Sequence, residues 1–141
     1  MANIIPFAFR GELFSGTHNF ANGGNSFKIA LYTGNPYSTS SDVYLTAQEV
    51  SASNTGYTTA GQVLGSQAVA SSTAVASVDF ADSVINSATF TAAFAAIYND
   101  TNGDKLCVVL DFGGNKTATN GTFTISFPNP STPANAIISM A

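Results

Sequence analysis

The chain has 141 residues, with 4 basic and 8 acidic side chains and a net charge of −4. Charged residues are 9% of the total, against about 25% in ordinary soluble domains, and 16 Ser, 16 Thr and 13 Asn carry the polar surface instead. Four cations spread over the whole length (Arg10, Lys28, Lys105, Lys116) argue against nucleic-acid binding, a single cysteine rules out an intrachain disulfide, and no run reaches the ~20 apolar residues of a membrane-spanning helix.

A surface so poor in charge repulsion fits a chain that sits against neighbours. One domain is expected over residues 1–141, with a helix or arm over 1–20 and a β body over 21–141. Residues 1–14 are apolar but interrupted by Pro6, Arg10 and Glu12, and without a basic start they do not read as a signal peptide. Pro6 opens and Gly16 closes a predicted helix over residues 7–15. On a helical wheel Phe7 and Phe14 fall together, with Phe9 and Leu13 roughly opposite. A helix apolar on two sides needs cover on two sides, either wholly from its own sheet or in part from a second chain. A strand through Phe7 and Phe9 is the competing reading.

After the Gly- and Asn-rich residues 22–25, Phe27, Ile29 and Leu31 alternate with Lys28, Ala30 and Tyr32, the period of a strand. Residues 37–61 are polar and irregular, carrying Tyr37, Tyr44 and Tyr57. A stretch of that length holds short strands, a helical turn around residues 45–50, or a binding loop. Further strands are expected over 63–69 and 73–80. A long hairpin is expected over 88–112, in which Phe90, Ala92, Phe94, Ala96 and Tyr98 share one face and Thr89, Thr91, Ala93, Ala95 and Ile97 the other. In its second arm Leu106, Val108, Leu110 and Phe112 alternate with Lys105, Cys107, Val109 and Asp111, which makes Cys107 a packed thiol. Asn102-Gly103 marks the tip, because both residues accept positive φ.

Gly113-Gly114-Asn115 reads as the next loop. A last clear strand follows, with Phe123, Ile125 and Phe127 facing away from Thr122, Thr124 and Ser126, and Pro128, Pro130 and Pro133 stop it. Residues 136–140 form a short closing strand. Seven or eight strands with frequent turns predict an all-β fold, an antiparallel β-sandwich or jelly roll with a short N-terminal helix.

No catalytic motif stands out. His18, the only histidine, has no nucleophile-elbow context and reads as a cap or hydrogen-bonding core residue. Asp79 and Asp111 read as solvated-face carboxylates rather than a glycosidase pair. Asp100, Asn102 and Asp104 start like a calcium loop, but Lys105 and Asp111 stand where an EF-hand needs glycine and a final glutamate, so a hairpin turn is favoured over an ion site. Neither catalytic residues, nor a metal, nor a cofactor are therefore expected. The three loop tyrosines would offer a sugar platform, weakened by the absence of tryptophan.

The order of short motifs resembles a family of small virion structural proteins of tailed bacteriophages. The matching pieces include Phe9-Arg10-Gly11-Glu12-Leu13-Phe14-Ser15-Gly16, Phe27-Lys28-Ile29-Ala30-Leu31-Tyr32-Thr33, Gly56-Tyr57-Thr58, Val78-Asp79-Phe80, Ser87-Ala88-Thr89-Phe90, Val109-Leu110-Asp111-Phe112-Gly113 and Gly121-Thr122-Phe123-Thr124-Ile125. Ile85 departs from the pattern, where an aromatic is expected ahead of Ser87-Ala88-Thr89. The resemblance implies a virion part made in the bacterial cytoplasm, with no catalytic residues. Its first form is a capsid cement or decoration protein that binds the major capsid protein and itself as a homo-oligomer, a trimer being one such form. Its alternative is a tail, neck or fibre component, including an adhesin touching host glycan. The expected contact residues are Phe7, Phe9, Leu13, Phe14, Phe20, Tyr37, Tyr44 and Tyr57.

Overall fold

The computed structural model describes residues 3–72, 74–128 and 136–140. It is mostly β, with one short helix and antiparallel sheets. In chain order the elements are α1 (Phe7–Phe14), β1 (Phe27–Tyr32), β2 (Gln62–Val63), β3 (Ala68–Ser71), β4 (Ala76–Asp79), β5 (Ser83–Asn99), β6 (Lys105–Ile125) and β7 (Ile138–Met140). One sheet has the order β2-β1-β5-β6, the other β3-β4-β7. The predicted strand over 63–69 is two short ones in different sheets, β2 and β3. The start of the predicted 73–80 strand at Thr73, and the stops at Pro130 and Pro133, lie outside the described residues.

The helix begins after Pro6, and its first free donor, the Phe7 N–H, reaches the Thr39 carbonyl at 2.9 Å. It ends through Gly16, whose φ of 72° lets Gly16 N–H bond the Leu13 carbonyl and Thr17 N–H the Glu12 carbonyl. These two crossed bonds are the Schellman closure, which glycine favours because the left-handed position costs it nothing.

The hairpin is longer than its sequence period indicates. Residues 113–115 are not a loop between strands but a break in pairing inside β6. A step of two residues on β5, Ala92 to Phe94, is matched by a step of five on β6, from Lys116 to Asp111. Gly113 and Gly114 take φ of 75° and 143° there. Such a slip changes which face a side chain points to. Phe90 and Ala92 therefore share a cluster with Ala95 and Ile97, while Phe94, Ala96 and Tyr98 pack on the other face, which corrects the uninterrupted alternation expected from sequence. A second irregularity, between Ile97 and Tyr98, puts Cys107 beside Val108 and Leu110 in one cluster and Leu106 with Val109 in the other. Cys107 is buried as expected. At the tip, the positive φ falls on Gly103 and Asp104 rather than on Asn102.

Both faces of the larger sheet are covered near β1. The first cluster draws on both sheets and the helix, from Phe9, Phe20, Phe27 and Phe80 to Val78 and Ile138, with Phe20 and Phe27 stacked at 4.3 Å. The second is roofed by Tyr37, Tyr44, Leu45 and Ile4, which lie over Ala30, Tyr32, Ala96, Tyr98 and Val109. The irregular residues 33–61 are thus a lid on a sheet, held by the bridges Tyr32 to Glu49 and Val43 to Lys105.

That lid closes back on β1 at Gly61, where φ is 83° and a methyl group would run into the Ile29 carbonyl. Gly103 also has positive φ but open space around it. Gly61→Ala is expected to cost at least about 2 kcal/mol, from backbone strain plus overpacking. Gly103→Ala is expected to cost about 1 kcal/mol, from backbone strain alone. Urea unfolding of the two variants measures the difference.

Candidate functional site

Two polar networks hold the irregular parts of the chain to the sheets, and both are built from residues far apart in sequence. The first joins α1 to the tip of the hairpin. Asn99, at the end of β5, is fully buried. Its Oδ1 accepts the backbone N–H groups of Thr101 and Asn102 at 3.1 and 3.2 Å, so its Nδ2 is left to donate, to His18 Nδ1 at 3.0 Å and Asn25 Oδ1 at 3.0 Å. His18 Nδ1 is therefore an acceptor and its Nε2 carries the hydrogen, which it donates to Glu12 Oε2 at 2.7 Å. The other Glu12 oxygen accepts from Lys105 Nζ at 2.9 Å. Burial pushes the Glu12 carboxyl up, but the bonds from His18 and Lys105 and the Lys105 charge outweigh it and hold the group below its ordinary value.

Cys107 Sγ lies 3.7 Å from His18 Nδ1. The pair looks like a nucleophile beside a base, yet the His18 side chain is 0% exposed, and burial pushes the Cys107 thiol well up, away from the thiolate that nucleophilic chemistry needs. The cluster ties α1 and residues 17–25 to the hairpin.

The second network gathers all five tyrosines. Glu49 accepts from Tyr44 and Tyr57, each at 2.6 Å, and from Ala60 N–H at 2.8 Å. Tyr57 Oη accepts in turn from Leu31 N–H. Tyr37 donates to Tyr32 at 2.6 Å, Tyr32 to the Leu45 carbonyl at 2.7 Å, and Tyr98 to the Ala60 carbonyl. Tyr44 stacks on Tyr98 at 4.8 Å. Each tyrosine is raised above its ordinary value, first by burial; the neighbouring Glu49 carboxylate adds to the rise for Tyr44 and Tyr57, and Asp104 and Asp100 add to it for Tyr98.

The expected contact residues divide accordingly. Tyr37 and Tyr57 are buried and Tyr44 is half-buried, with their hydroxyls used inside the chain, so they form no exposed sugar platform. Phe9 and Phe20 sit in the core, and Leu13 packs against it. Phe7 and Phe14 face outward, 60% and 90% exposed, and the Arg10 guanidinium lies 5.4 Å from the Phe7 ring centre. Leu13, beside Phe14, lines a shallow apolar groove of about 100 Å³ with Phe20, Val69, Val78, Ile138 and Met140. The wheel had already separated these two sides of the helix; which side the body would cover depends on Glu12 and His18, whose pairing no local pattern announces. In the hairpin tip Asp100 pairs with Lys28 at 3.1 Å and the Asn102 amide donates to the Thr17 carbonyl. Among the described residues no group of three His, Cys, Asp or Glu is placed to hold a metal ion, and no helix is long and apolar enough to cross a membrane.

The two networks respond to pH with opposite sign. Below the ordinary glutamate value of 4.5 the unfolded chain binds a proton that folded Glu12 does not, so acid lowers stability. Glu12→Gln is expected to be less stable at neutral pH and to lose less on acidification, read from melting temperature between pH 6 and 3. Near the ordinary tyrosine value of 10.0 the unfolded chain releases protons that the folded tyrosines keep, so stability falls as pH rises past 10. Ultraviolet titration is expected to show tyrosine ionisation only together with unfolding.

No protein-family model matches the chain, and no curated protein or solved structure matches it either.

Proposed function

We propose that this chain is a structural part of a larger assembly, a small virion protein of a tailed bacteriophage that acts as cement or decoration on the head lattice. The observation that carries the reading is the uncovered side of α1. Phe14 is 90% exposed on a helix whose opposite side is locked down by Phe9, Glu12 and the Schellman closure, and an aromatic held rigidly in water marks a contact surface. Two antiparallel sheets sharing one apolar cluster support the β-sandwich form of the fold. The motif order that resembles phage virion proteins supports the choice of assembly, and the charge-poor Ser, Thr and Asn surface suits close packing among subunits.

The mechanism is linkage: a protein that binds only the assembled lattice, across major-capsid-protein subunits and copies of itself, shifts the equilibrium toward the assembled state. Cement on a shell is present in hundreds of copies per particle, a tail or fibre part in far fewer, as orders of magnitude set by assembly symmetry. Quantitative mass spectrometry of purified virions decides between them.

Phe7→Ser with Phe14→Ser removes two exposed aromatics. Burial of each is worth about 1.5–3 kcal/mol, so the double variant is expected to bind heads assembled without the protein at least about tenfold more weakly. Its melting temperature is expected to stay near that of the parent, because neither ring is in the core. A double variant that binds as tightly as the parent overturns the assignment of this surface.

A further inference from the structure

We propose that two copies of this chain pair through the outer edges of β6, antiparallel, about a twofold axis passing between Asn120 and Gly121. The inference goes beyond the virion reading and does not depend on it.

β6 is the edge strand of the larger sheet. The first part of its outer edge is already occupied: Leu106 N–H donates to the Asp42 carbonyl, Tyr44 N–H to that of Asp104, Ile4 and Val109 exchange a pair of bonds, and Asp111 N–H reaches Asn3 Oδ1. Beyond the break at residues 112–115 no further cover is found among the described residues. Among the described residues no segment pairs with the outer edge of residues 116–125, roughly 33 Å of strand at about 3.3 Å per residue. Free edges are normally blunted by charge, proline, bulges or cover. This one carries a single charge, Lys116, one irregularity, at Asn120, and no proline between residues 112 and 127.

The occupant is identified by the pattern of the strand itself. β6 has one more residue than β5 between the pairs Phe90 to Ala118 and Ala88 to Gly121, and Asn120 has φ of 49°. The irregularity shifts the alternation by one, so Thr117 and Thr119 before it and Thr122 and Thr124 after it are all exposed, while Ala118 and Phe123 turn to the core side. Read outward from the Asn120-Gly121 bond, the order is Thr, apolar, Thr in both directions. A twofold there lays Thr119 opposite Thr122 and Thr117 opposite Thr124 of the second copy, with Ala118 opposite Phe123 on the core side. Threonine pairs suit antiparallel neighbours, and Thr117 already makes one with Thr91 at 2.8 Å within the chain. Lys116 meets Ile125 rather than a second lysine. The pairing is isologous and closed, so it stops at two copies.

Sedimentation and hydrogen exchange test it. The parent chain is expected to be a dimer at about 100 µM, with amides of residues 117–124 exchanging more slowly at high than at low concentration. Thr119→Lys with Thr122→Lys places like charges across the axis and is expected to raise the dimer dissociation constant at least about tenfold. Thr119→Lys with Thr122→Glu places opposite charges across it and is expected to stay dimeric, although it carries the same number of exposed substitutions. A monomeric parent chain, concentration-independent exchange at residues 117–124, equal behaviour of the two double variants, or a dimer abolished by Phe7→Ser with Phe14→Ser would each overturn the proposal.

Discussion

The register slip between Ala92 and Phe94 is the constraint on which the rest of this structure depends. Upstream of it β5 has, among the described residues, only β6 as a strand partner; downstream, from Phe94 to Asn99, it is also paired with β1. The slip therefore sits where a two-stranded ribbon becomes the broader sheet. Two glycines at left-handed φ absorb four residues of β6 opposite one of β5, and the side chains past that point exchange faces. Without the exchange, Ala95 and Ile97 would leave the core shared with the smaller sheet, and Phe94, Ala96 and Tyr98 would lose the tyrosine lid. A strand with apolar residues on both faces requires cover on both faces, and residues 33–61 provide it.

This explains why the chain manages with so few charges. An antiparallel sheet with one wet face reads as apolar alternating with polar and carries its charges on the wet face. Here both faces of β1 and of the adjoining parts of β5 and β6 are dry, so the polar demand moves to loops and caps. Uncharged Asn, Ser, Thr and Tyr meet it with directed hydrogen bonds, which inside a protein cost less desolvation than ions do. The few charges that approach the interior are bonded: Glu12 to His18 and Lys105, Glu49 to two tyrosines.

How much of this could be read in the residues depends on the range of the interaction. The strand over residues 27–32 was legible because six residues alternate without interruption, and the helix because Pro6 and Gly16 bracket it. The slip was not, because Gly113-Gly114-Asn115 has the same composition whether it forms a loop or a break within one strand. Once the slip is missed, every face assignment upstream or downstream of it is reversed. The burial of the tyrosines was not legible for a different reason. A phenol has an apolar body and a polar tip, so its sequence context is the same whether it lies on a surface or roofs a sheet. The partnership of Glu12, His18, Asn99 and Lys105 spans most of the chain and leaves no local trace, although each residue was visible singly. What separated Phe9 from Phe14 was legible on the helical wheel; which of them would be covered was not.

That partnership also bears on association. A flexible arm bearing two phenylalanines would lose much of its binding energy in becoming ordered. Here α1 is held at its start by Thr39, along its length by Phe9 and Glu12, and at its end by the crossed bonds around Gly16, so the backbone under Phe7 and Phe14 is already placed. The buried Asn99 fixes the hydrogen on His18 Nε2, His18 fixes Glu12, and Glu12 fixes the turn of helix between the two exposed rings. Ordering is thus completed during folding, so any contact made through this surface would keep more of the free energy of burying the aromatics. A cluster that looks like chemistry, histidine beside cysteine and carboxylate, acts in this way as the mount for an apolar surface.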